Sequence, residues 1–166
     1  MKVLMLNGSF NPDGSTNAGL EIMAKTFAEE GVETEIVTVG GKPVADCIAC
    51  GKCAELKRCV FANDAVNEFA EKAKTADGFV FGSPVYYTHP SGRIQSFLDR
   101  VFFSSMMGNR YASFRHKPVA SIVVARRAGT SASFVVLNAC AAQLKTYGRL
   151  IMDDADDESV FTNFVR

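Results

Sequence analysis

Neither sign of charge is in excess in this sequence: 18 lysines and arginines meet 18 aspartates and glutamates across 166 residues. A chain with no net field is not drawn onto a polyanion, so nucleic acid and acidic membrane surfaces are excluded as default partners. Long apolar runs are missing too, none approaching the ~18–20 residues that cross a bilayer. The first apolar stretch breaks at Asn7-Gly8, too early for the apolar region of a secretion signal. Internal repeats and low-complexity segments are absent. These absences predict a cytoplasmic protein with no membrane partner. What is present is ordinary globular material, 48% hydrophobic and 22% charged, in a chain of single-domain length. The expectation is one domain over residues 1–166 with a Cys-rich insert at about 43–62.

Strand and helix signals alternate along the chain. Residues 2–6 form a short apolar run closed by a Gly/Asn/Pro/Asp/Ser loop, which predicts a buried strand. Leu20, Met23, Ala24, Phe27 and Ala28 then share one helical face up to a stop at Gly31. Residues 33–39 are β-branched and half polar, as in an edge strand. After the insert, Asn63 or Asp64 can cap a helix that turns Val66, Phe69, Ala70 and Ala73 inward. Residues 78–82 are the next strand and 83–92 a loop, and Ile94, Phe97, Leu98, Val101 and Phe102 mark a third helix. A strand over 119–125, a helix over 133–147 and a short strand over 150–152 follow, ahead of an acidic run at 153–158. Strands joined through helices pair in parallel and are covered on both faces, which predicts an α/β, doubly wound, three-layer sandwich. Such sheets bind ligands beyond the C-terminal strand ends, where strand order reverses. That selects the loops at 7–16, 83–92 and 126–131.

The first of these loops reads Gly8-Ser9-Phe10-Asn11-Pro12-Asp13-Gly14-Ser15-Thr16-Asn17. Glycines and small hydroxyls let the backbone curl with successive N–H groups inward at a helix N-terminus, an arrangement suited to a terminal phosphate. No Gly-Lys-Ser/Thr follows, so it is not a Walker A loop, and the Gly-x-Gly-x-x-Gly of dinucleotide folds is missing. None of the cysteines has an arginine six residues on, which excludes a Cys-x5-Arg phosphatase. No acid closes the first strand, which excludes a response-regulator receiver. An ordinary polar turn with a Ser/Thr helix cap is the other reading of this loop.

The same loop resembles the Gly-Ser-x-x-x-x-Gly-x-Thr element of the NADPH-dependent FMN reductase family. Gly82-Ser83-Pro84-Val85-Tyr86-Tyr87, with the following segment from Ser91 to Arg100, and Ala125-Arg126-Arg127-Ala128-Gly129 are similar to further family elements, in the same order. The resemblance spans residues 1 to about 150 and implies a flavodoxin-like five-stranded parallel sheet of order 2-1-3-4-5. It also implies FMN as cofactor. Ser9, Asn11, Gly14, Ser15, Thr16 and Asn17 would hold its phosphate. Pro84, Val85, Tyr86 and Tyr87 would lie against its ring, with Arg126, Arg127 and Gly129 at the crevice mouth. The chain carries Asn11 where family members often have a basic residue, and Gln95 where a lysine is common. A flat apolar ring with a polar edge suits kinked backbone and aromatic area, and positive charge near its N1 favours the reduced anion. His89 lies in the ring-facing loop and His116 reads as surface. No side chain is needed as general acid or base, because the flavin itself carries the hydride.

Five cysteines without a secretion signal are expected as thiols, metal ligands or redox groups. Cys47, Cys50, Cys53 and Cys59 make a C-x2-C-x2-C-x5-C pattern. Three thiolates within seven residues crowd a single tetrahedral zinc, whose ligands usually come as pairs from separate loops. A [4Fe–4S] cubane accepts such compact spacing, Gly51 allows the tight turn, and Lys52, Lys57 and Arg58 offset thiolate charge. Iron-free redox thiols and zinc are the other readings. The spacing and position of the motif resemble the iron–sulfur flavoprotein branch of the family. Cys140 reads as a small buried residue.

The expected function is that of an FMN-dependent oxidoreductase passing electrons from NAD(P)H through FMN to a small acceptor, a quinone or flavin. An iron–sulfur flavoprotein carrier using FMN and a [4Fe–4S] cluster is the alternative, and a non-catalytic flavin-binding sensor the third. Phe103, Met106 and Met107 form an apolar group beyond Phe102. Since members of the family are commonly dimers, a homodimer is expected.

Overall fold

The computed structural model describes residues 1–143. Along the chain run β1 (Lys2–Asn7), α1 (Ser15–Glu29), β2 (Glu33–Thr38), the one-turn α2 (Cys53–Leu56) and α3 (Val66–Lys72). They are followed by β3 (Gly78–Tyr86), β4 (His89–Pro90), α4 (Gly92–Asn109), β5 (Val119–Val124) and α5 (Thr130–Gln143). β1 pairs in parallel with β2 on one side and β3 on the other, and β3 pairs in parallel with β5. The parallel order is therefore β2-β1-β3-β5, with β4 attached to the end of β3. The fold is α/β and flavodoxin-like. The last strand expected at 150–152, the end of the helix predicted to reach 147 and the acidic run at 153–158 lie outside the described residues.

Successive side chains leave opposite faces of a strand, and the central strands β1 and β3 are apolar on both. Leu4 and Leu6 enter one core cluster while Met5 enters the other; Phe79 and Phe81 divide from Val80 in the same way. The Met5 face is closed by Leu20, Met23 and Phe27 of α1. The opposite face is closed by α3, α4 and α5 through Phe69, Phe97, Leu98, Val101 and Leu137. Among the described helices, right-handed crossovers put α1 alone on its side, because the chain steps one way from β1 to β2 and the other way from β2 to β3. Direction reverses between β1 and β3, so a crevice opens beyond their C-terminal ends. The larger core is aromatic. Phe69, Phe79, Phe81, Phe97, Phe102 and Phe114 make a connected set of ring contacts, each buried ring contributing about 1.5–3 kcal/mol. Among the described residues no helix is long and apolar enough to cross a membrane.

One sequence expectation needs correction. The segment at 83–92 is not simply a loop. β3 continues to Tyr86, pairing Ser83 and Pro84 with Val123 and Val124, and then folds back on itself in a hairpin in which Val85 pairs with Pro90 and Tyr86 with His89. The insert likewise contains the short α2, which sequence periodicity could not register in four residues.

Candidate functional site

Loops that follow β1, β3 and β5 meet at the switch point, and hydrogen bonds weld the first two together. Gly8 N donates to Gly82 O at 2.7 Å. Ser91 Oγ donates to Gly8 O at 2.7 Å and accepts from Ile94 N, capping α4. Ser91 N donates to Ser83 Oγ at 3.0 Å, and Ser83 Oγ donates to Pro84 O. This chain of buried serines fixes the β1 loop, the end of β3 and the start of α4 as one unit. A side chain at Gly8 would stand 2.8 Å from Ile94 and 2.9 Å from Gly82 O, so only hydrogen fits there.

Within the first loop, small polar side chains curl the backbone. Asn7 Oδ1 accepts from Ser9 N, Ser9 Oγ from Asn11 N, and Asn11 Oδ1 from Asp13 N. Each spends an acceptor on the loop, so the Ser9 hydroxyl hydrogen and the Asn11 amide hydrogens stay free as donors. α1 then begins at Ser15 with Gly14 as its N-cap and no side-chain cap. The N–H groups of Ser15, Thr16 and Asn17 have no acceptor within the helix. α4 is thus capped while α1, on the other face of the sheet, is not, and the uncapped helix presents donors and a positive dipole end to an anion. This donor set fits a phosphate without a cation from Asn11. Thr16 is buried with its methyl against Gly82, and the Asn17 side chain is tied to Asn7 and Glu21. Arg93, in the first turn of α4, lies 5.1 Å over the Phe10 ring and donates to Gly40 O. That holds the loop after β2 against the loop after β1.

The hairpin projects Tyr86 and Tyr87. Its two-residue turn is Tyr87-Thr88, with φ of 46° and 69°, the left-handed pair of a type I′ turn that normally recruits Asn and Gly. Neither is present, so each residue bears a conformational cost of about 1–2 kcal/mol. Contacts from outside impose it. Gly129 (φ 93°) packs so closely that a Cβ there would stand 2.5 Å from Thr88 Cα and 2.9 Å from Val85 Cγ1. Gln95 Nε2 donates to Pro90 O on the other side. Tyr86 is exposed and Tyr87 is 99% exposed at the tip, while Pro84 and Val85 are half-buried. Arg126 and Arg127 are exposed. His89 is exposed and paired through Nδ1 with Thr88 Oγ1.

Cys47, Cys50, Cys53 and Cys59 line one solvent-open pocket, with Ile48, Val60, Phe61 and Phe103. Cys47 and Cys50 are exposed, and Cys53 and Cys59 are buried. Burial pushes the Cys53 thiol up, reinforced by like charge from Cys50, Cys47 and Cys59. Gly51 adopts φ 69°, as does Ala49 with 51°, so the motif turns sharply at these points. Among the described residues no three ligand-type side chains converge as around a single metal ion; the thiols rim the pocket instead. Four cysteines around one apolar hollow are a donor set fitting a multi-iron cluster, whose thiolate ligands bind different irons.

Sequence reasoning missed the residue that organises this pocket. Arg100, 1% exposed, is paired with Asp64 through both Nη1 and Nη2, and its Nε donates to Cys59 Sγ at 3.2 Å. Nη1 also reaches Ala45 O and Nη2 reaches Phe61 O, while the ring of Phe61 lies under the guanidinium at 4.9 Å. Burial alone would lower the Arg100 pKa, but the bonds to Asp64 and Cys59 outweigh it and hold the charge more firmly than usual. Asn67 clamps the same stretch, accepting from Cys59 N and donating to Cys59 O and Phe61 O. The signal was in the helix pattern: Arg100 falls three residues after Phe97, on the buried stripe of α4, where a charge needs a partner.

The model of the family described as NADPH-dependent FMN reductase matches residues 1–150. An iron–sulfur flavoprotein of Methanocaldococcus jannaschii is 38% identical over 100 residues, covering 60% of this chain and 51% of its own length. One from Methanosarcina thermophila is 27% identical over 124 residues, covering 75% of this chain and 63% of its own length. The chain thus spans about half to two thirds of the length of these curated relatives. Among solved structures, an NAD(P)H:(acceptor) oxidoreductase from Paracoccus denitrificans superposes with a TM-score of 0.72 at 18% identity, covering 99% of this chain and 92% of the other. At that identity the likeness is one of fold.

Proposed function

The chain belongs to the NADPH-dependent FMN reductase family, and from that premise we propose that it is an FMN-dependent oxidoreductase moving electrons from NAD(P)H to a small acceptor such as a quinone or flavin. The observation that carries this reading is the uncapped N-terminus of α1 set beside the Ser83–Ser91–Gly8 weld, a donor-lined cradle at the switch point. Ser9, Asn11, Gly14, Ser15, Thr16 and Asn17 would take the phosphate through O–H and N–H donors. Pro84, Val85, Tyr86 and Tyr87 would face the ring, with Gly129 holding their hairpin in place. Arg126 and Arg127 would supply positive charge at the crevice mouth. When bound, FMN accepts a hydride from the nicotinamide and delivers electrons to the acceptor.

A second reading is favoured by the pocket that Cys47, Cys50, Cys53 and Cys59 share: a [4Fe–4S] cluster there would make the protein an iron–sulfur flavoprotein carrier. A homodimer is proposed on the exposed Phe103 and Met107 of α4; light scattering that finds a monomer at micromolar concentration removes it. The visible spectrum of anaerobically purified chain, with NADH and NADPH oxidation assayed with and without a quinone, tests both functions. Flavin bands and acceptor-dependent oxidation support the reductase. Flavin bands under broad brown absorption, with neither nicotinamide oxidised, transfer the assignment to the carrier. Protein that takes up no FMN overturns both.

A further inference from the structure

We propose that Arg100 is a positioning residue for the cysteine pocket: it fixes the Cys59 sulfur at the pocket wall and supplies a charged N–H bond to that sulfur as a cluster ligand. The proposal rests on the reading that the pocket holds a thiolate-bound cluster. A guanidinium carries five N–H donors, and here all five have acceptors: Cys59 Sγ, Ala45 O, Phe61 O and the two oxygens of Asp64. These acceptors lie on both sides of the cysteine motif in sequence, so one side chain of α4 ties the start and the end of the insert together.

An anchoring role alone does not account for the arrangement. Pairing with Asp64 already balances the buried charge, and a buried pair is often replaceable by apolar residues without loss. The bond from Nε to sulfur is additional and is directed at a residue of the motif. Cys59 is also held by its backbone, since Asn67 bonds both its N–H and its C=O. Among the four thiols it is therefore the one whose sulfur and main chain are both set by the fold, while Cys47 and Cys50 stand exposed. Hydrogen bonds to ligand sulfurs stabilise the more negative, reduced form of a cluster and so raise its potential. A positive donor does this more strongly than a neutral one.

The test uses the full chain reconstituted anaerobically with ferrous iron and sulfide, comparing wild type, Asp64→Asn, Arg100→Lys and the pair Arg100→Met with Asp64→Asn. Asp64→Asn keeps the donor to Cys59 and should hold a midpoint potential near wild type. The double variant should shift the reduction equilibrium about tenfold towards the oxidised form, ~59 mV for a one-electron couple, and Arg100→Lys should fall between them. A double variant with the midpoint of Asp64→Asn overturns the proposal. Nuclear magnetic resonance of the iron-free chain provides a readout independent of the cluster: the Arg100 Nε–H signal should exchange slowly and move in Cys59→Ala. A signal that does not move overturns the proposal as well. Failure of the wild type to take up iron, with that signal moving as expected, sinks the cluster reading and leaves the Arg100–Cys59 link standing.

Discussion

Beyond the ends of β1, β3 and β5 the crevice is shaped by close main-chain approaches, Gly8 to Gly82 and Gly129 to Thr88, by the unpaired N–H groups that open α1, and by many short side chains such as Ser83 and Ser91 that share the bonding among them. Around the cysteines the bonding is concentrated instead. There one guanidinium and one carboxamide, from Arg100 and Asn67, carry the polar contacts, and the backbone is what they hold. A surface made of backbone fails where a glycine gains a side chain and tolerates many other changes. A pocket hung on one side chain fails at that side chain.

The comparison can be broken most forcefully at Arg100. Arg100→Leu leaves the Asp64 carboxylate buried and unpaired, a loss of about 3–5 kcal/mol to be read by denaturant unfolding. A loss under 1 kcal/mol would mean that the insert is held by other contacts. Next comes Gly129→Ala, which combines a positive φ with a collision against Thr88 backbone. It should cost about 1–3 kcal/mol and weaken FMN binding in a fluorescence titration, while thiol accessibility in the cysteine pocket stays as in wild type. Parallel losses in both regions would show that they are not separable.

Smaller effects sharpen the contrast. Replacing Tyr87-Thr88 by Asn-Gly should raise stability by about 1 kcal/mol, because those residues accept the type I′ conformation without strain; thermal melts decide, and a lowered midpoint would show that the side chains themselves hold the turn. The smallest effect lies outside both regions, at Glu35, whose carboxyl is held below its ordinary value by its hydrogen bonds to Lys2 and then Lys72. A depressed folded pKa contributes stability above the unfolded value near 4.5 and loses it as pH falls through the folded one. Glu35→Gln should therefore cost less than about 1 kcal/mol at neutral pH. The gap from wild type should close as pH falls below 4.5, and a gap that does not narrow would discount the ion pairs.

Much of the crevice was legible in the residue order. Apolar runs alternating with amphipathic stretches place β1, β3 and β5 in one parallel sheet, and the loops after them follow from topology. Gly14, Ser15 and Thr16 announce a helix start by type alone. The hairpin was not legible, because a turn formed by Tyr87 and Thr88 carries none of the usual Asn or Gly punctuation. Its conformation is imposed by Gly129 and Gln95, which lie elsewhere in the chain. The charge at Arg100 was visible on an apolar helical stripe, but its partner Asp64 is 36 positions away, and no local pattern connects them.

Sequence by itself determined the α/β class, the switch point and the presence of four clustered thiols, because periodicity, glycine placement and cysteine spacing act over a few residues. Tertiary structure alone decided that the four thiols share one pocket, that Arg100 spends its five donors there, and that the turn residues Tyr87 and Thr88 are forced into a left-handed backbone. Those outcomes depend on contacts between segments far apart in the chain, whose free energies are settled only when the packed surfaces meet.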